Sequence, residues 1–342
     1  MLSCKTIFIA IVLASTVGTV AAQNTSINTS KLLPGQNAYY LDKNGEKIDA
    51  KDSAQTVRVF NGYDSVAHLY DVSEYDIKSG QRIMIGRSSS SYPLSLEGPC
   101  VAFYVNGKRK SIISYQKGIP TGNGSFYYPN GKPYQILLYN DIKTLKAQYK
   151  STDYIPENER QNIIACYDST GKQLVTNGKG HFISYSDDFK LIEQEGDVEN
   201  GKRVGQWQGK LSNYTYIEQY NDGKLISGVS TDAAGLQHSY DKYRVSADYP
   251  TGLADLYAFI GQTVRYPVAD RKNNVQGKVF ITFIISEDGT LHHLACLRAP
   301  SYDMADETIR VLSLSPKWKP SLVRGMPARQ VFTLPVSFTL SN

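Results

Sequence analysis

The sequence predicts an α+β protein in which a long region of β-hairpins is followed by a small C-terminal domain of order α-β-β-α-β. Three observations predict this class. A turn phrase rich in aromatic residues recurs before residue 240, a later segment alternates apolar and polar residues, and helical stripes flank that segment. The 25 Tyr against 11 Phe agree with a sheet-rich chain, because aromatic residues favour strands.

Residues 1–22 have the organisation of a secretory signal peptide. Lys5 supplies a basic start, residues 6–20 are mainly apolar, and Val20-Ala21-Ala22 places small residues before a cleavage site at Gln23. An uncleaved membrane anchor is the alternative. Ser and Thr dilute the apolar stretch, however, and it falls short of the ~20 residues that span a bilayer. We therefore predict export with cleavage.

Charge and cysteine content argue against two classes of protein. The formal net charge is +5 and no block is rich in Lys or Arg, which argues against a nucleic-acid partner. Cleavage would leave Cys100, Cys166 and Cys296, an odd number that does not make a disulfide framework. A single Cys100–Cys166 bridge is one interpretation. Three buried thiols that pack as small apolar side chains are the other.

A phrase of aromatic residues followed by Asn/Asp-Gly-Lys recurs between residues 39 and 240. Because Asn-Gly and Asp-Gly tolerate the positive φ angles of tight two-residue turns, each copy predicts a hairpin, and copies should stack or join into a meander. The two clearest copies are Phe103–Lys108 and Tyr127–Lys132. Looser copies are Tyr39-Tyr40 with Asn44-Gly45, Tyr167 with Gly171-Lys172, and Tyr220–Lys224.

This cadence resembles the MORN-type repeat. The segments that carry the resemblance are Gly118–Gly122, which precedes Tyr127–Lys132, and Asn200–Trp207. It implies an extended β scaffold or interaction surface. A glycan or peptidoglycan platform is an alternative role for the tyrosines, which sheet packing also explains.

The chain divides into three predicted regions after the signal peptide. We assign residues 23–95 to a leader (23–38) and a β-rich segment, residues 96–240 to MORN-like hairpin repeats, and residues 248–342 to the C-terminal domain. Residues 229–250 are the predicted linker, with the boundary near Ser246.

The C-terminal domain begins with a predicted helix. Thr251 is its expected N-cap, and the helix should end near Tyr266, because Pro267 disfavours helical geometry in the preceding residue. Its apolar stripe comprises Leu253, Leu256, Tyr257, Ile260 and Val264.

Two strands and a second helix follow. The strand Lys278–Ser286 carries Val279, Ile281, Phe283 and Ile285 on one face, Glu287-Asp288-Gly289 turns the chain, and Thr290–Arg298 returns with an expected bulge or late start. Asp303 is the expected cap of a helix that Pro316 ends, with Asp306 and Glu307 in its first turns. Its inner stripe comprises Ala305, Thr308, Ile309 and Leu312.

A final strand is predicted over Arg329–Thr339. Phe332, Leu334, Val336 and Phe338 share one face, and Val331, Thr333, Pro335 and Ser337 share the other. The predicted fold is therefore a three-stranded antiparallel sheet packed on two helices.

These residues resemble the TonB C-terminal family. The resemblance is carried in order, without a gap over about 251–340, by Tyr266-Pro267 with Ala269, Gly277-Lys278-Val279, Phe283, Asp288-Gly289, Ser315–Pro320, Gly325 and Phe332–Phe338. It implies a periplasmic domain that binds a short extended segment of outer-membrane transporters. In the complete transducer an inner-membrane helix and a long Pro-rich linker couple this domain to the proton-motive force.

The chain departs from that plan in two ways. Its N-terminus has the features of a cleaved signal, and its 14 Pro are scattered rather than gathered in a spacer. We predict a periplasmic TonB-like protein that binds TonB-dependent outer-membrane transporters by β-strand addition and supports transmembrane transport and energy transduction. The alternative is a periplasmic scaffold for envelope proteins or cell wall without energy coupling. An anchored N-terminus would favour the first function.

The predicted partner site is the main chain of the final strand. Because proline lacks an N–H, Pro335 indicates an edge strand, and an edge can accept an added strand. Arg324 and Arg329 would steer an acidic partner. A neighbouring domain or a second copy in a homodimer is the alternative occupant. The site residues are Arg329, Gln330, Val331, Phe332, Thr333 and Leu334.

No catalytic constellation accompanies this site. The chain lacks C-x-x-C, H-E-x-x-H, G-x-S-x-G and a phosphate loop, so we expect no enzyme activity, no cofactor and no metal. His292 and His293 are adjacent on a strand and should point to opposite faces. Trp318, at a helix end between prolines, is expected to cover the core rather than to stack on a ligand.

Overall fold

The computed structural model describes residues 37–49, 51–141, 157–211 and 213–340. By its internal contacts the chain divides into two compact units, Met1–Tyr134 and Gln135–Asn342. The predicted signal peptide, residues 1–22, lies outside the described residues. Within the described ranges, no helix has the length and apolar content needed to cross a membrane.

The first unit is an antiparallel meander. β1 pairs with both β2 and β3, and from β3 to β8 each strand pairs with the next. Apolar residues are buried on both faces, with Val57 and Val59 on one and Phe60 and Val72 on the other. The strands are β1 Asn37–Leu41, β2 Lys47–Ile48, β3 Thr56–Asp64, β4 Leu69–Asp76, β5 Arg82–Ser88, β6 Leu96–Phe103, β7 Arg109–Gln116 and β8 Ile119–Tyr127, with a 3-10 turn at Lys51–Ser53.

The two clearest copies of the Asn-Gly-Lys phrase form hairpin loops, but not the predicted two-residue turns. In Tyr104–Lys108 the N–H of Tyr104 donates to Lys108, the N–H of Gly107 donates to Tyr104, and only the glycine has a positive φ, of 79°. Tyr128–Lys132 repeats this geometry. These are three-residue loops with a glycine bulge, because a right-handed Asn followed by a left-handed Gly closes the loop one residue later. Assignment of the hairpins to MORN repeats stays a prediction.

Two-residue turns occur where both central residues have a positive φ. Asn200-Gly201 and Asp222-Gly223 are of this kind, with φ angles of 53° and 80°, and of 47° and 81°. The prediction of two-residue turns was therefore right for Asp222-Gly223 and wrong for Asn106-Gly107 and Asn130-Gly131.

The second unit continues with an antiparallel meander. Each strand from β9 to β17 pairs with the next. The strands are β9 Pro133–Tyr139, β10 Gln161–Tyr167, β11 Gln173–Thr176, β12 Lys179–Tyr185, β13 Ile192–Glu199, β14 Lys202–Leu211, β15 Tyr214–Asn221, β16 Lys224–Asp232 and β17 Gln237–Tyr240, with a helical turn α1 at Glu157–Arg160. Because β16 and β17 occupy most of 229–240, the linker predicted over 229–250 is shorter than expected.

Aromatic rings lie across strand glycines in this meander. A Cβ on Gly196 would meet the Trp207 ring at 2.4 Å, and a Cβ on Gly209 would meet the Tyr216 ring at 2.2 Å. Glycine therefore makes room for a ring on the neighbouring strand. Trp207 is fully buried and Tyr216 is 4 % exposed, so sheet packing accounts for these aromatic residues.

The C-terminal domain has the predicted order α-β-β-α-β with additions. Two helices, α2 Leu253–Thr263 and α4 Tyr302–Ser313, pack against the sheet β20-β19-β23. The strands of that sheet are β19 Gly277–Ile285, β20 Leu291–Arg298 and β23 Gln330–Phe338. The additions are the short helix α3 Val268–Lys272 and a second small sheet of β18 Arg244–Val245, β21 Ser321–Val323 and β22 Met326–Ala328.

The predicted strand faces are confirmed. Val279, Ile281, Phe283 and Ile285 are each at most 1 % exposed, and they form one core with Leu256, Ile260, Met304 and Leu312 from the helices. The expected bulge in β20 is present, because the register shifts twice against β19 and His293 has a φ of 53°.

The caps of both long helices differ from prediction. Gly252, not Thr251, caps α2, with a φ of 100° and no side-chain hydrogen bond. The hydroxyl of Ser301, not Asp303, caps α4 by accepting the N–H of Met304. Serine at this position satisfies an otherwise orphaned donor while Asp303 lies in the first turn, where its charge favours the helix dipole.

The cysteines agree with the buried-thiol interpretation at two of three positions. Cys100, Cys166 and Cys296 are free thiols, so the Cys100–Cys166 bridge is not formed. Cys100 and Cys166 are buried, but Cys296 is exposed on β20. Burial raises the pKa of the Cys100 thiol to about 11.

Candidate partner-binding edge

The final strand, β23, lies at an edge of its sheet, as predicted from Pro335. The sheet order is β20-β19-β23, and β23 pairs with β19 in an unbroken register from Gln330 opposite Ile285 to Phe338 opposite Gly277. Pro335 stands opposite Phe280. An antiparallel edge strand without a register shift presents a regular row of backbone groups on its outer side.

Proline fixes which backbone groups face outward. In an antiparallel strand, successive residues direct their N–H and C=O alternately toward and away from the partner strand. Pro335 has no N–H to donate, but the hydrogen-bond ladder between β23 and β19 stays intact because the backbone of Pro335 faces away from β19. By the same alternation Val331 and Thr333 face away, so their N–H and C=O groups point to the open edge.

The side chains of the six predicted site residues divide between core and surface. Val331 is 68 % exposed and Thr333 is exposed, whereas Leu334 is 1 % exposed. Phe332 stacks on Phe283 at 5.6 Å between ring centroids and lies 5.4 Å from Trp318. A partner at this edge would therefore meet the main chain and the side chains of Val331 and Thr333, while Phe332 and Leu334 anchor the strand.

The opposite edge of the sheet is irregular. β20 pairs with β19 through two register shifts, and His293 adopts a left-handed conformation within it. A bulge twists an edge and interrupts its row of donors and acceptors, which opposes strand addition. Of the two edges, β23 is the one whose geometry suits an added strand.

Arg329 and Gln330 have structural partners at the start of β23. The Arg329 guanidinium lies 3.1 Å from Glu287. The main-chain N–H of Glu287 first, and Arg329 next, hold the pKa of that carboxyl below its ordinary value. The Gln330 side chain accepts the N–H of Ala247 at 2.8 Å. The Gln330 side chain thus holds the segment around Ala247 that leads into the C-terminal domain.

Arg324 does not steer a partner, contrary to prediction. It is 7 % exposed, and its Nε donates to Glu218 on β15 at 2.8 Å. The prediction treated Arg324 as a surface charge because it lies just upstream of the final strand. A signal was present 106 residues earlier, in the alternation of Tyr214, Tyr216 and Glu218 on one strand face.

Trp318 covers the core, as predicted. Its ring is 3 % exposed and makes edge-to-face contacts of 5.6 Å with both Tyr249 and Phe283. The indole Nε1 donates to the hydroxyl of Ser315 at 2.9 Å, which satisfies its polar atom.

Two further features of the described residues are the predicted histidine pair and a pair of surface grooves. His292 and His293 are exposed, with ring centroids 6.5 Å apart, and within the described ranges no three His, Cys, Asp or Glu side chains are placed to hold a metal ion. Two shallow neighbouring grooves of about 360 and 330 Å³ flank Ile217. Their side chains are mostly uncharged, among them Thr215, Gln208 and Ser227.

The fold and its edge define a class of protein. A hairpin meander is followed in the chain by a compact α+β domain that has one regular open edge strand. Comparison with known families agrees for the C-terminal part. Residues 262–340 match the family described as Gram-negative bacterial TonB protein C-terminal, and this segment is a TonB-type C-terminal domain. The match begins within α2 and ends after β23. No protein of curated function and no solved structure matches the chain.

Proposed function

We propose that this protein is exported to the periplasm and captures a partner in the cell envelope by β-strand addition to β23. The partner is a TonB-dependent outer-membrane transporter, and capture supports transmembrane transport and energy transduction. The role is non-enzymatic. The single observation that carries the proposal is the regular open edge of β23 on a TonB-type domain.

Strand addition fits the physical character of this edge. Main-chain hydrogen bonds supply affinity in such complexes, and alternate side chains supply specificity. Val331 and Thr333 offer outward backbone groups, while Phe332 and Leu334 hold the strand on the core. The edge is therefore rigid before the partner arrives, which lowers the entropy cost of binding.

Of the two arginines predicted to steer an acidic partner, only Arg329 carries an exposed charge near the edge. Arg329 is exposed and its exposed ion pair with Glu287 is weak by the usual measure of surface pairs. An acidic residue of the partner can replace Glu287 at low cost. Association should then weaken as salt rises.

The test is site-specific photo-crosslinking in the living envelope. A photoreactive residue at Thr333, on the open edge, should capture an outer-membrane transporter that mass spectrometry identifies. The matched control places the same residue at His292, which is exposed on the bulged edge β20. Capture of transporters from both positions, or from His292 only, would contradict binding at β23.

A scaffold without energy coupling is the second candidate. It is favoured because the C-terminal domain and residues 135–240 belong to one compact unit. A partner bound to the C-terminal domain would then be held next to the hairpin surface. Intact-mass measurement of the periplasmic protein separates the two candidates. A mature N-terminus at Gln23 favours the scaffold, and retention of residues 1–22 in the membrane fraction favours an anchored transducer.

A further inference from the structure

Side chains on β15 and β17 surround a buried carboxylate. Glu218 is 0 % exposed. The hydroxyl of Tyr240 donates to its Oε1 at 2.8 Å, and the hydroxyl of Tyr220 donates to its Oε2 at 3.0 Å. Both hydroxyls come from the hairpin meander itself. The carboxylate is therefore oriented by the meander alone, but its charge still needs a cation, because burial of an unpaired charge is costly.

Arg324 of the C-terminal domain supplies that cation. Its Nε donates to Glu218 at 2.8 Å, and its Nη1 donates to the hydroxyl of Tyr214 at 3.3 Å. The guanidinium carbon lies 3.5 Å from the centroid of the Tyr216 ring and 4.9 Å from that of Tyr243. Burial is the largest single effect and lowers the pKa of Arg324, but the charge of Glu218, the nearby Tyr216 and the hydrogen bonds to Glu218 and Tyr214 together outweigh it, and the net pKa is raised. A planar guanidinium suits this combination of stacking and hydrogen bonding better than an ammonium.

Arg324 reaches the cage from the tip of the hairpin that β21 and β22 form. Arg324 and Gly325 are the two central residues of the turn between β21 and β22, with φ angles of 50° and 76°. A non-glycine residue at positive φ costs free energy, so the arginine side chain must offset the strain of its own backbone. The turn also packs closely, because a Cβ on Gly325 would lie 3.2 Å from His238.

Short main-chain contacts surround this ion pair. The N–H of Arg324 donates to Tyr243 at 2.8 Å, and β18 pairs with β21 at Arg244 and Val245. Asp248 and Lys319 form an isolated bridge nearby. Pairings of two or three residues are weak when they stand alone. The buried ion pair therefore adds a charged contact between the meander and the C-terminal domain to these short main-chain pairings.

We propose that the β21–β22 hairpin is a latch: Arg324 docks in a guanidinium-binding cage of the meander, holds the C-terminal domain against it, and releases the domain when withdrawn. The cage comprises Tyr214, Tyr216, Glu218, Tyr220 and Tyr240. The latch ends two residues before β23, so its release frees the segment that leads into the open edge. It does not depend on which partner β23 binds.

The test is hydrogen–deuterium exchange of the full chain. In Arg324→Ala, exchange should rise roughly 100-fold or more at 241–250 and 321–328, the size expected when one partner of a buried pair is removed. Exchange in β19 should stay unchanged, because the domain core is intact. Arg329→Ala is the matched control, since it removes an exposed arginine of the same domain and should leave both segments protected.

A second variant keeps the result decisive if Arg324→Ala does not fold. Glu218→Gln keeps the size of the side chain and can accept one tyrosine hydroxyl while its amide N–H donates to the other, but it removes the charge that Arg324 requires, and it should open the same two segments. Unchanged exchange in folded Arg324→Ala, or in folded Glu218→Gln, would overturn the latch.

A small ligand tests the cage directly. Methylguanidinium chloride, below denaturing concentrations, should raise the thermal midpoint of Arg324→Ala in a saturable way, compared with sodium chloride at equal ionic strength. The double variant Glu218→Gln with Arg324→Ala should not respond. An equal response of both variants would show that the cage does not recognise guanidinium.

Discussion

The main chain of Trp318 lies directly against Gly289. The N–H of Trp318 donates to the carbonyl of Gly289 at 2.8 Å, and a Cβ on Gly289 would lie 2.0 Å from the carbonyl oxygen of Trp318. The turn between β19 and β20 is thereby held against the segment that contains Trp318, whose ring covers the core. Lys317 adds an ion pair to Asp288 at 2.7 Å across the same contact.

Gly289→Ala should destabilise the C-terminal domain by more than about 2 kcal/mol, because a left-handed backbone costs about 1–2 kcal/mol for a non-glycine residue and the clash with Trp318 adds to it. Gly235→Ala is the matched control: Gly235 has a φ of 84°, close to the 82° of Gly289, but open space around its Cβ position. Denaturant unfolding should show the larger loss for Gly289→Ala. Equal losses would mean that the contact with Trp318 is not restrictive.

Phe283→Ala should cost about 3–5 kcal/mol, the usual range for truncation of a buried aromatic side chain. Phe283 is 1 % exposed and contacts both Trp318 and Phe332. Tyr302→Ala, at a site 91 % exposed, should change the free energy of unfolding by less than about 0.5 kcal/mol. A loss below about 1 kcal/mol for Phe283→Ala would contradict the described core.

The Asp288–Lys317 pair should contribute to acid sensitivity. A hydrogen bond from Lys317, followed by hydrogen bonds from Thr290, lowers the pKa of Asp288. A lowered folded-state pKa gives stability that is present above the unfolded pKa, near 3.8, and is lost as the pH falls toward the folded value. Asp288→Asn and Lys317→Ala should each reduce the loss of stability measured between about pH 5 and pH 2. An unchanged pH profile in both variants would contradict the pair.

Thiol reactivity should distinguish the three cysteines of the described chain. Cys296 is exposed, whereas Cys100 and Cys166 are buried and burial raises the pKa of both thiols. Because the thiolate is the reactive form, Cys296 should react first with an aromatic disulfide reagent. Cys296→Ser should abolish that fast phase. A fast phase that persists in this variant would place another thiol at the surface.

Local periodicity predicted the parts of the fold that short-range physics controls. The alternation of Val279, Ile281, Phe283 and Ile285 placed a buried strand face correctly, and Pro335 placed β23 at an edge. The bulge in β20 was predicted from a slip in its alternation. In each case the determining residues lie within a few positions of one another.

Features that depend on distant residues or on loop geometry could not be predicted in this way. Arg324 finds Glu218 across 106 positions, and a surface charge and a buried one look alike in sequence. Asn-Gly closes a two-residue turn at Asn200-Gly201, where both residues have a positive φ, and a three-residue loop at Asn106-Gly107, where only the glycine does. Gln330, predicted as part of the partner site, instead accepts the main-chain N–H of Ala247 with its side chain, a contact across 83 positions.

Partner capture by Val331→Pro, compared with Val331→Ala, tests the central claim most directly. The alternation from Pro335 directs the N–H of Val331 away from β19, so proline there should leave the domain folded while removing a donor from the open edge. Alanine removes the exposed side chain and keeps the N–H. Crosslinking from Thr333 should capture the outer-membrane partner roughly 5- to 10-fold less in the proline variant, about one hydrogen bond's contribution to affinity, and nearly normally in the alanine variant. Equal capture by a folded Val331→Pro protein would contradict strand addition at this edge.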